Sequence, residues 1–270
     1  MEKVAFIGAG SMAEAIIAGL VNKDFVKKEQ IYVSNKDNIE RLNEIENKYG
    51  VITTTDKQKT INDAEVVFIA TKPYDIEVAL QDASQYLKED QLVISVVAGI
   101  STTFIQSKIN KNIPVIRSMP NTSATIGYSA TAISKGNFAN NKHIEIAKTL
   151  FTAIGTVSVV EEKQMDIVTA ISGSGPAYVY YLVEAMEKAA VEEGLAPETA
   201  KQLINQTIVG AGNMLSQSSN QPEVLRENVT SPNGTTAAGI ATLKENNFKG
   251  TVISCVKSAM NRSIELGKSE

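Results

Sequence analysis

One cysteine and one histidine in 270 residues remove several chemistries before any motif is read. A single Cys255 cannot form an internal disulfide and suits a reducing cytoplasm, the expected location. It falls in an apolar helical stretch and is expected to be a small core residue rather than a nucleophile. With His143 as the only imidazole, a zinc site of the His/Cys kind is not expected. His143 sits in a polar helical stretch, 140–151, where a solvated surface role fits better than catalysis. Any reaction here is therefore expected to proceed without a histidine acid or base. Positive charge is also short: 26 Lys and Arg against 30 Asp and Glu leave a net −4, which points away from nucleic acid and anionic membranes as partners. No apolar stretch reaches the length of a membrane span, and because Met1-Glu2-Lys3 runs straight into a core-like strand, a signal peptide is not expected. What remains, 43% hydrophobic and 21% charged, is the composition of a soluble globular protein.

Against this background, Val4 to Ala13 (VAFIGAGSMA) is the most informative stretch. A short apolar run ends in Gly8-Ala9-Gly10 and continues through Ser11 and Met12 into a helix-like segment. Strand, tight glycine turn and helix make the first βα unit of a dinucleotide-binding fold, with Gly-x-Gly-x-x-Ala as its fingerprint. Gly8 permits the turn, Gly10 lets a pyrophosphate approach the backbone, and Ala13 lets the helix pack close to the strand. The helix start then offers free N–H groups to phosphate. At the end of the second strand, an NAD site usually carries Asp or Glu for the ribose 2′-OH. Ser34-Asn35-Lys36 stands there instead, a hydroxyl, an amide and a cation, which favours NADPH. Asp37, one residue later, keeps NADH open.

Strands are predicted at 3–8, 31–34, 50–53, 65–71, 91–97, 113–117, 128–134 and 156–160, with helices at 11–22, 37–48, 75–87, 101–110 and 140–153 between them. This alternation implies a mostly parallel sheet covered on both faces. After Glu161 the strand signal vanishes and helices are predicted at 163–171, 176–193, 197–216, 222–229, 236–246 and 250–267. The expected architecture is therefore α/β: a Rossmann-like dinucleotide-binding domain over 1–162 followed by an all-helical domain over 163–270. The helical part has apolar residues on several faces, among them Tyr178, Leu182, Met186, Leu203, Ile208 and Met214. Two subunits exchanging such faces is the natural remedy.

Four polar blocks interrupt the regular elements: Ala70-Thr71-Lys72-Pro73, Arg117-Ser-Met-Pro-Asn-Thr122, Ser172-Gly-Ser-Gly-Pro-Ala-Tyr178 and Val229-Thr-Ser-Pro-Asn-Gly-Thr-Thr-Ala-Ala-Gly239. Singly, each also reads as a strand end, a flexible turn or a helix cap. In this order, behind GAGSMA, they resemble pyrroline-5-carboxylate reductase over effectively the whole chain, Val4 to about Leu266. The resemblance implies NADPH-dependent reduction of 1-pyrroline-5-carboxylate to L-proline, with NADH as the alternative donor. It also implies a helical dimerisation domain and a homodimer, in some family members stacked into a decamer.

Carried over by resemblance, Gly8, Ala9, Gly10, Ser11, Met12 and Ala13 form the pyrophosphate loop, and Ser34, Asn35 and Lys36 the adenosine-phosphate end. Ala70, Thr71 and Lys72 touch cofactor, with Thr71 standing where relatives have Val. Asn121 and Thr122 lie under the nicotinamide. Ser231, Gly234, Thr235 and Thr236 form the substrate loop, and Thr236 is the catalytic residue, accepting from the iminium N–H and later donating to the amine. The active site is expected at the domain junction, or completed by a neighbouring subunit. Asn233 departs from a family Gly, Lys57 from an adenosine-side Asn and Ser219 from a Glu; Asn tolerates positive φ, so the turn at 233 should survive. Two alternatives stay open: another NADP-dependent imino-acid or 3-hydroxy-acid reductase, and a regulator that binds NADP(H) without turnover. The hydroxy-acid enzymes usually present a catalytic Lys on the helix after the Rossmann domain, and 171–179 contains none.

Overall fold

The computed structural model describes residues 1–268; the last two residues of the expected 163–270 domain lie outside the described residues. The first part of the chain alternates strand and helix as β1 (Val4–Ile7), α1 (Ser11–Asn22), β2 (Ile31–Ser34), α2 (Ile39–Tyr49), β3 (Ile52–Thr54), α3 (Lys57–Ile61), β4 (Val66–Ile69), α4 (Ile76–Ser84), β5 (Leu92–Ser95), α5 (Thr102–Ile109) and β6 (Val115–Met119). It closes with β7 (Ser129–Lys135), α6 (Asn141–Thr152) and β8 (Gly155–Val159). The eight strands form one sheet in the order β3-β2-β1-β4-β5-β6-β7-β8. All neighbours are parallel except β6 and β7. The order reverses between β1 and β4, and ligands of doubly wound sheets bind beyond the strand ends at such a switch point.

Alternation along the central strands builds a core on each face of the sheet. Val4, Phe6, Val66 and Phe68 point into one, and Ala5, Ile7, Val67 and Ile69 into the other. Phe6 stacks on Phe68 with centroids 4.6 Å apart, and Phe68 meets Phe151 edge-on at 5.9 Å, so α6 is keyed to the centre of the sheet. Strands buried on both faces in this way read as continuous apolar runs.

Capping residues explain where the helices start. Asn38 accepts from the Arg41 N–H at 2.8 Å, Asp56 from Lys59 at 3.1 Å and Ser101 from Phe104 at 3.0 Å. Asn140 caps α6, and the His143 Nδ1 accepts the Asn140 N–H in return at 3.1 Å. His143 is thus half of a capping box, and burial, with Lys142 adding, lowers its pKa.

The remaining helices are α7 (Met165–Val168), α8 (Gly175–Glu192), α9 (Pro197–Gln217), α10 (Pro222–Asn228), α11 (Thr235–Glu245) and α12 (Phe248–Lys268). The helix predicted at 163–171 is broken: a 3-10 turn at Glu162–Gln164 leads into α7, and Thr169–Gly173 forms a π-helical turn closed by the Ser174 N–H on the Thr169 carbonyl at 2.8 Å. Such π segments recur at functional sites. The short α3 was not predicted, because five residues carry too little periodicity to register.

Packing divides the chain into two compact units, Met1–Pro176 with the segment from Ser258 onward, and Ala177–Lys257. The boundary read from the sequence at 162/163 marks the change from α/β to all-α, whereas 163–176 and the end of α12 pack with the sheet. Within the second unit the apolar faces stay open: Tyr181, Leu203 and Met214 are 77%, 57% and 58% exposed. Cys255, expected in a core, is exposed for the same reason; its apolar helix face meets no covering element within this unit. Among the described residues, no helix is long and apolar enough to cross a membrane.

Candidate active site

The cleft at the sheet's switch point is built from backbone first. After β1 the chain turns at Gly8 with φ +106°, and a Cβ there would lie 2.4 Å from the Ala70 carbonyl oxygen. Only glycine lets the loops after β1 and β4 approach so closely. Gly10 then stands at the N-cap of α1 with no side chain capping the helix, so the first α1 N–H groups are free for an anion. Ala13 is fully buried against the strand and Met12 packs on the core; both support the loop rather than line the cleft.

A cavity of about 690 Å³ opens beyond these loops. Its walls include Gly8, Ala9, Gly10 and Ser11 from the first turn, Ser34, Asn35 and Lys36 from the end of β2, and Ala70, Thr71 and Lys72 from the end of β4. Ten of the fourteen residues expected to bind cofactor thus share one cleft. Asn35 Oδ1 accepts from the Asp37 and Asn38 N–H groups at 3.2 and 3.1 Å, turning the chain into α2. Ser34 is only 2% exposed, and its hydroxyl donates to the Phe6 carbonyl at 3.2 Å. That hydroxyl faces into the sheet, which leaves the cationic reading of this end to lysines. Thr71 Oγ1 is shielded from solvent without a hydrogen-bond partner, a polar atom on the cleft wall that a ligand would satisfy. A turn that excludes a Cβ, an uncapped helix start, cations and this orphaned hydroxyl together fit the adenosine-diphosphate half of a dinucleotide.

A charged group in the same cleft was missed by sequence reasoning. Arg41 donates through Nε to the Ala9 carbonyl at 3.0 Å and through Nη1 to Glu44 at 2.9 Å, and Nη2 bonds Glu14. Glu14 also accepts from Lys48 at 2.9 Å and from the Tyr49 hydroxyl at 2.8 Å. The Lys48 bond, helped by Arg41 and Tyr49 against partial burial, holds the Glu14 carboxyl down at about 2. Arg41 thereby engages the Ala9 carbonyl of the glycine turn and neutralises Glu14, the one acid in the first turn of α1. An Arg in a polar helix carries no motif signal of this role; only the fold brings residues 9, 14 and 41 together.

Asn121 and Thr122 lie elsewhere in the same unit. Asn121, 8% exposed, caps the 3-10 turn Thr122–Ile126 and donates from Nδ2 to the Ser172 carbonyl at 3.0 Å. Gly173 stands beside this bond, where a Cβ would lie 2.6 Å from the Met119 methyl. Ser172 and Gly173, in the π turn, are therefore tied to the segment at the end of β6 and just beyond it.

The Ser231–Thr236 loop belongs to the second unit. Asn233 adopts φ +58°, the left-handed conformation anticipated for this departure from glycine. Gly234 has φ −82°, so its role is space: a Cβ would lie 2.4 Å from Ser231 Oγ. No side chain caps α11, and Ser231, Thr235 and Thr236 are exposed. A helix start lined by hydroxyls and free N–H groups is suited to a carboxylate. Among the described residues, no group of three or more His, Cys, Asp or Glu side chains is placed to hold a metal.

Comparison with known proteins agrees with both halves. Residues 162–266 match the family model for pyrroline-5-carboxylate reductase dimerisation, and 3–99 match the one described as NADP oxidoreductase coenzyme F420-dependent. Pyrroline-5-carboxylate reductase 2 of Bacillus subtilis is 47% identical over 98% of this chain and 95% of its own length. The structure of a pyrroline-5-carboxylate reductase from Coxiella burnetii superposes with a TM-score of 0.92 at 34% identity, covering 98% of each chain. That of Plasmodium falciparum pyrroline carboxylate reductase, with NADP bound, gives 0.89 at 29% identity and 99% of each chain.

Proposed function

The chain belongs to the pyrroline-5-carboxylate reductase family, and we propose that it reduces 1-pyrroline-5-carboxylate to L-proline with NADPH, NADH being the poorer donor. The observation that carries this reading is a pair of uncapped helix starts of different character. One, at Gly10, is bare backbone flanked by lysines and suits a pyrophosphate. The other, at Gly234, is lined by Ser231, Thr235 and Thr236 and suits a small carboxylate.

The dinucleotide supplies a hydride, and the protein's task is placement. A protonated imine is already electrophilic, so the chief demand is to hold its carbon about 3–3.5 Å from the donor. The N–H groups at the start of α11 and the Ser231 hydroxyl hold the carboxylate. The Thr236 hydroxyl accepts from the iminium N–H and, once nitrogen becomes an amine, can donate to it. Asn121 and Thr122 support the nicotinamide, and Asn121 is held by Ser172. No residue need take a proton from carbon, which agrees with the one imidazole being engaged as a helix cap.

The protein acts as a homodimer in this reading, supported by the open apolar faces of the second unit, and a stack of such dimers into a decamer follows the family pattern. Nucleic acid is not a partner, given the net negative charge, and a reducing cytoplasm suits the exposed thiol of Cys255. Incubating the purified protein with pyrroline-5-carboxylate and NADPH should consume NADPH absorbance and yield proline. No turnover with either nucleotide, despite measurable nucleotide binding, would refute the enzyme reading in favour of a nucleotide-binding regulator.

A further inference from the structure

Lys57 stands where the resemblance puts an adenosine-side Asn, and the change from a neutral amide to a cation has no role in the reading above. It opens α3 behind the Asp56 cap, and its Nζ lies 2.7 Å from Asp82 Oδ2 on α4. Both residues line the same cleft as Asn35 and Lys36. The Lys57 side chain is 20% exposed and that of Asp82 49%, so the ammonium is held against the wall while the carboxylate faces water. The competing groups are committed elsewhere: the Ser34 hydroxyl to Phe6, and Arg41 to Ala9, Glu14 and Glu44. Lys36 is exposed and makes no hydrogen bond or ion pair among the described residues.

A phosphate monoester carries close to two negative charges at neutral pH, and a single exposed ammonium is heavily screened. We infer that Lys57 is a second cation reading the 2′-phosphate of NADPH, and that Asp82 sets how much of its charge reaches the cofactor. The inference rests on the NADPH reading above. An ammonium has three donors; Asp82 uses one and orients the others, while its own charge opposes an arriving phosphate. Lys57 first, and Lys36 in addition, hold the Asp82 carboxyl below its usual range, so Asp82 stays ionised between the two lysines. The pair is a device for discrimination: Asp82 offsets the attraction of the lysines for anions in general, and a dianion overcomes that offset best.

The test uses calorimetric titration of the full chain with adenosine 2′,5′-bisphosphate and adenosine 5′-monophosphate, beside kcat/KM with NADPH and NADH. Lys57→Ala should weaken the bisphosphate and raise the KM for NADPH about tenfold, leaving the monophosphate and NADH nearly unchanged; Lys57→Arg should keep most of the preference. Asp82→Asn should tighten the bisphosphate several-fold. Equal losses for both ligands in Lys57→Ala and Lys57→Gln would reduce the ion pair to a tie between α3 and α4 and overturn the inference. A preference abolished by Lys36→Ala but intact in Lys57→Ala would overturn the Lys57 assignment while sparing the cofactor reading. A wild-type protein that does not distinguish the two adenosine ligands would overturn both.

Discussion

Replacing Arg117 by Met should destabilise the sheet unit by about 2–3 kcal/mol. Arg117 lies on β6, 7% exposed, with Nη1 3.8 Å from Glu162 and Nη2 3.9 Å from Asp166. At those separations each attraction is worth about 4 kcal/mol with an effective dielectric near 20, and desolvation of the guanidinium removes much of it. Burial lowers the Arg117 pKa, and the two carboxylates oppose that shift. Breaking a buried pair by removing one partner costs about 3–5 kcal/mol when the other is left uncompensated. Here the carboxylates keep other donors: Glu162 accepts from the Thr102 N–H at 2.7 Å and hydroxyl at 2.6 Å, and Asp166 from Ser263 Oγ at 2.8 Å. Both are also more than a quarter exposed, so the loss should fall below that range. With roughly 2–4 °C per kcal/mol for a unit of this size, the thermal midpoint should drop by about 4–12 °C. Circular dichroism melts would measure it, and the pair Arg117→Met with Asp166→Asn should recover part of the loss. A single variant as stable as the parent, or a double variant showing only the sum of the two losses, would refute the coupling.

Thr236→Val keeps the side chain's shape and removes its hydroxyl; losing one hydrogen bond to a charged partner, about 1.5–3 kcal/mol, should lower kcat/KM roughly 10–150-fold. An unchanged value would remove Thr236 from the mechanism. Glu14 titrates at about 2 in the folded protein against an ordinary 4.5, so the stability it lends is complete above about 4.5 and is lost as pH falls toward 2. Melts across that window should be flatter for Glu14→Gln, and identical slopes would refute the linkage. Light scattering at low micromolar concentration should show at least a dimer; a folded, active monomer would show that the apolar faces of the second unit need no partner.

Local features were legible in the chain, and long-range ones were not. Gly8, Gly10 and Ala13 announce their turn because steric demands on backbone are written into the residues that meet them, and Asn233 does the same at positive φ. Ser34 illustrates the limit. A serine closing a strand reads as a phosphate ligand, and Ser34 does line the cleft, but as the last residue of β2 it gives its hydroxyl to the Phe6 carbonyl, a bond that no local pattern announces. Arg41 and Arg117 act through partners far away in sequence, such as Ala9 for the first and Glu162 for the second, and neither pairing leaves a spacing to detect. Cys255 was misread because an apolar neighbourhood in sequence says that a face will be covered, not by which chain.

The sheet unit comes first along the chain but is not finished until late. The Asp166 carboxylate waits for Ser263, 97 residues onward, and Gly99 for Gly267, where a Cβ would lie 2.9 Å from the Gly99 carbonyl oxygen. During synthesis, N-terminal domains ordinarily fold as they emerge. Here the ribosome must pass residue 267 before those two contacts can close, and the intervening helices, with their apolar faces bare, are all made in the meantime. The nascent protein therefore presents its stickiest surface before its first unit is complete, and chaperone demand should be greatest over that interval rather than at the emergence of the sheet.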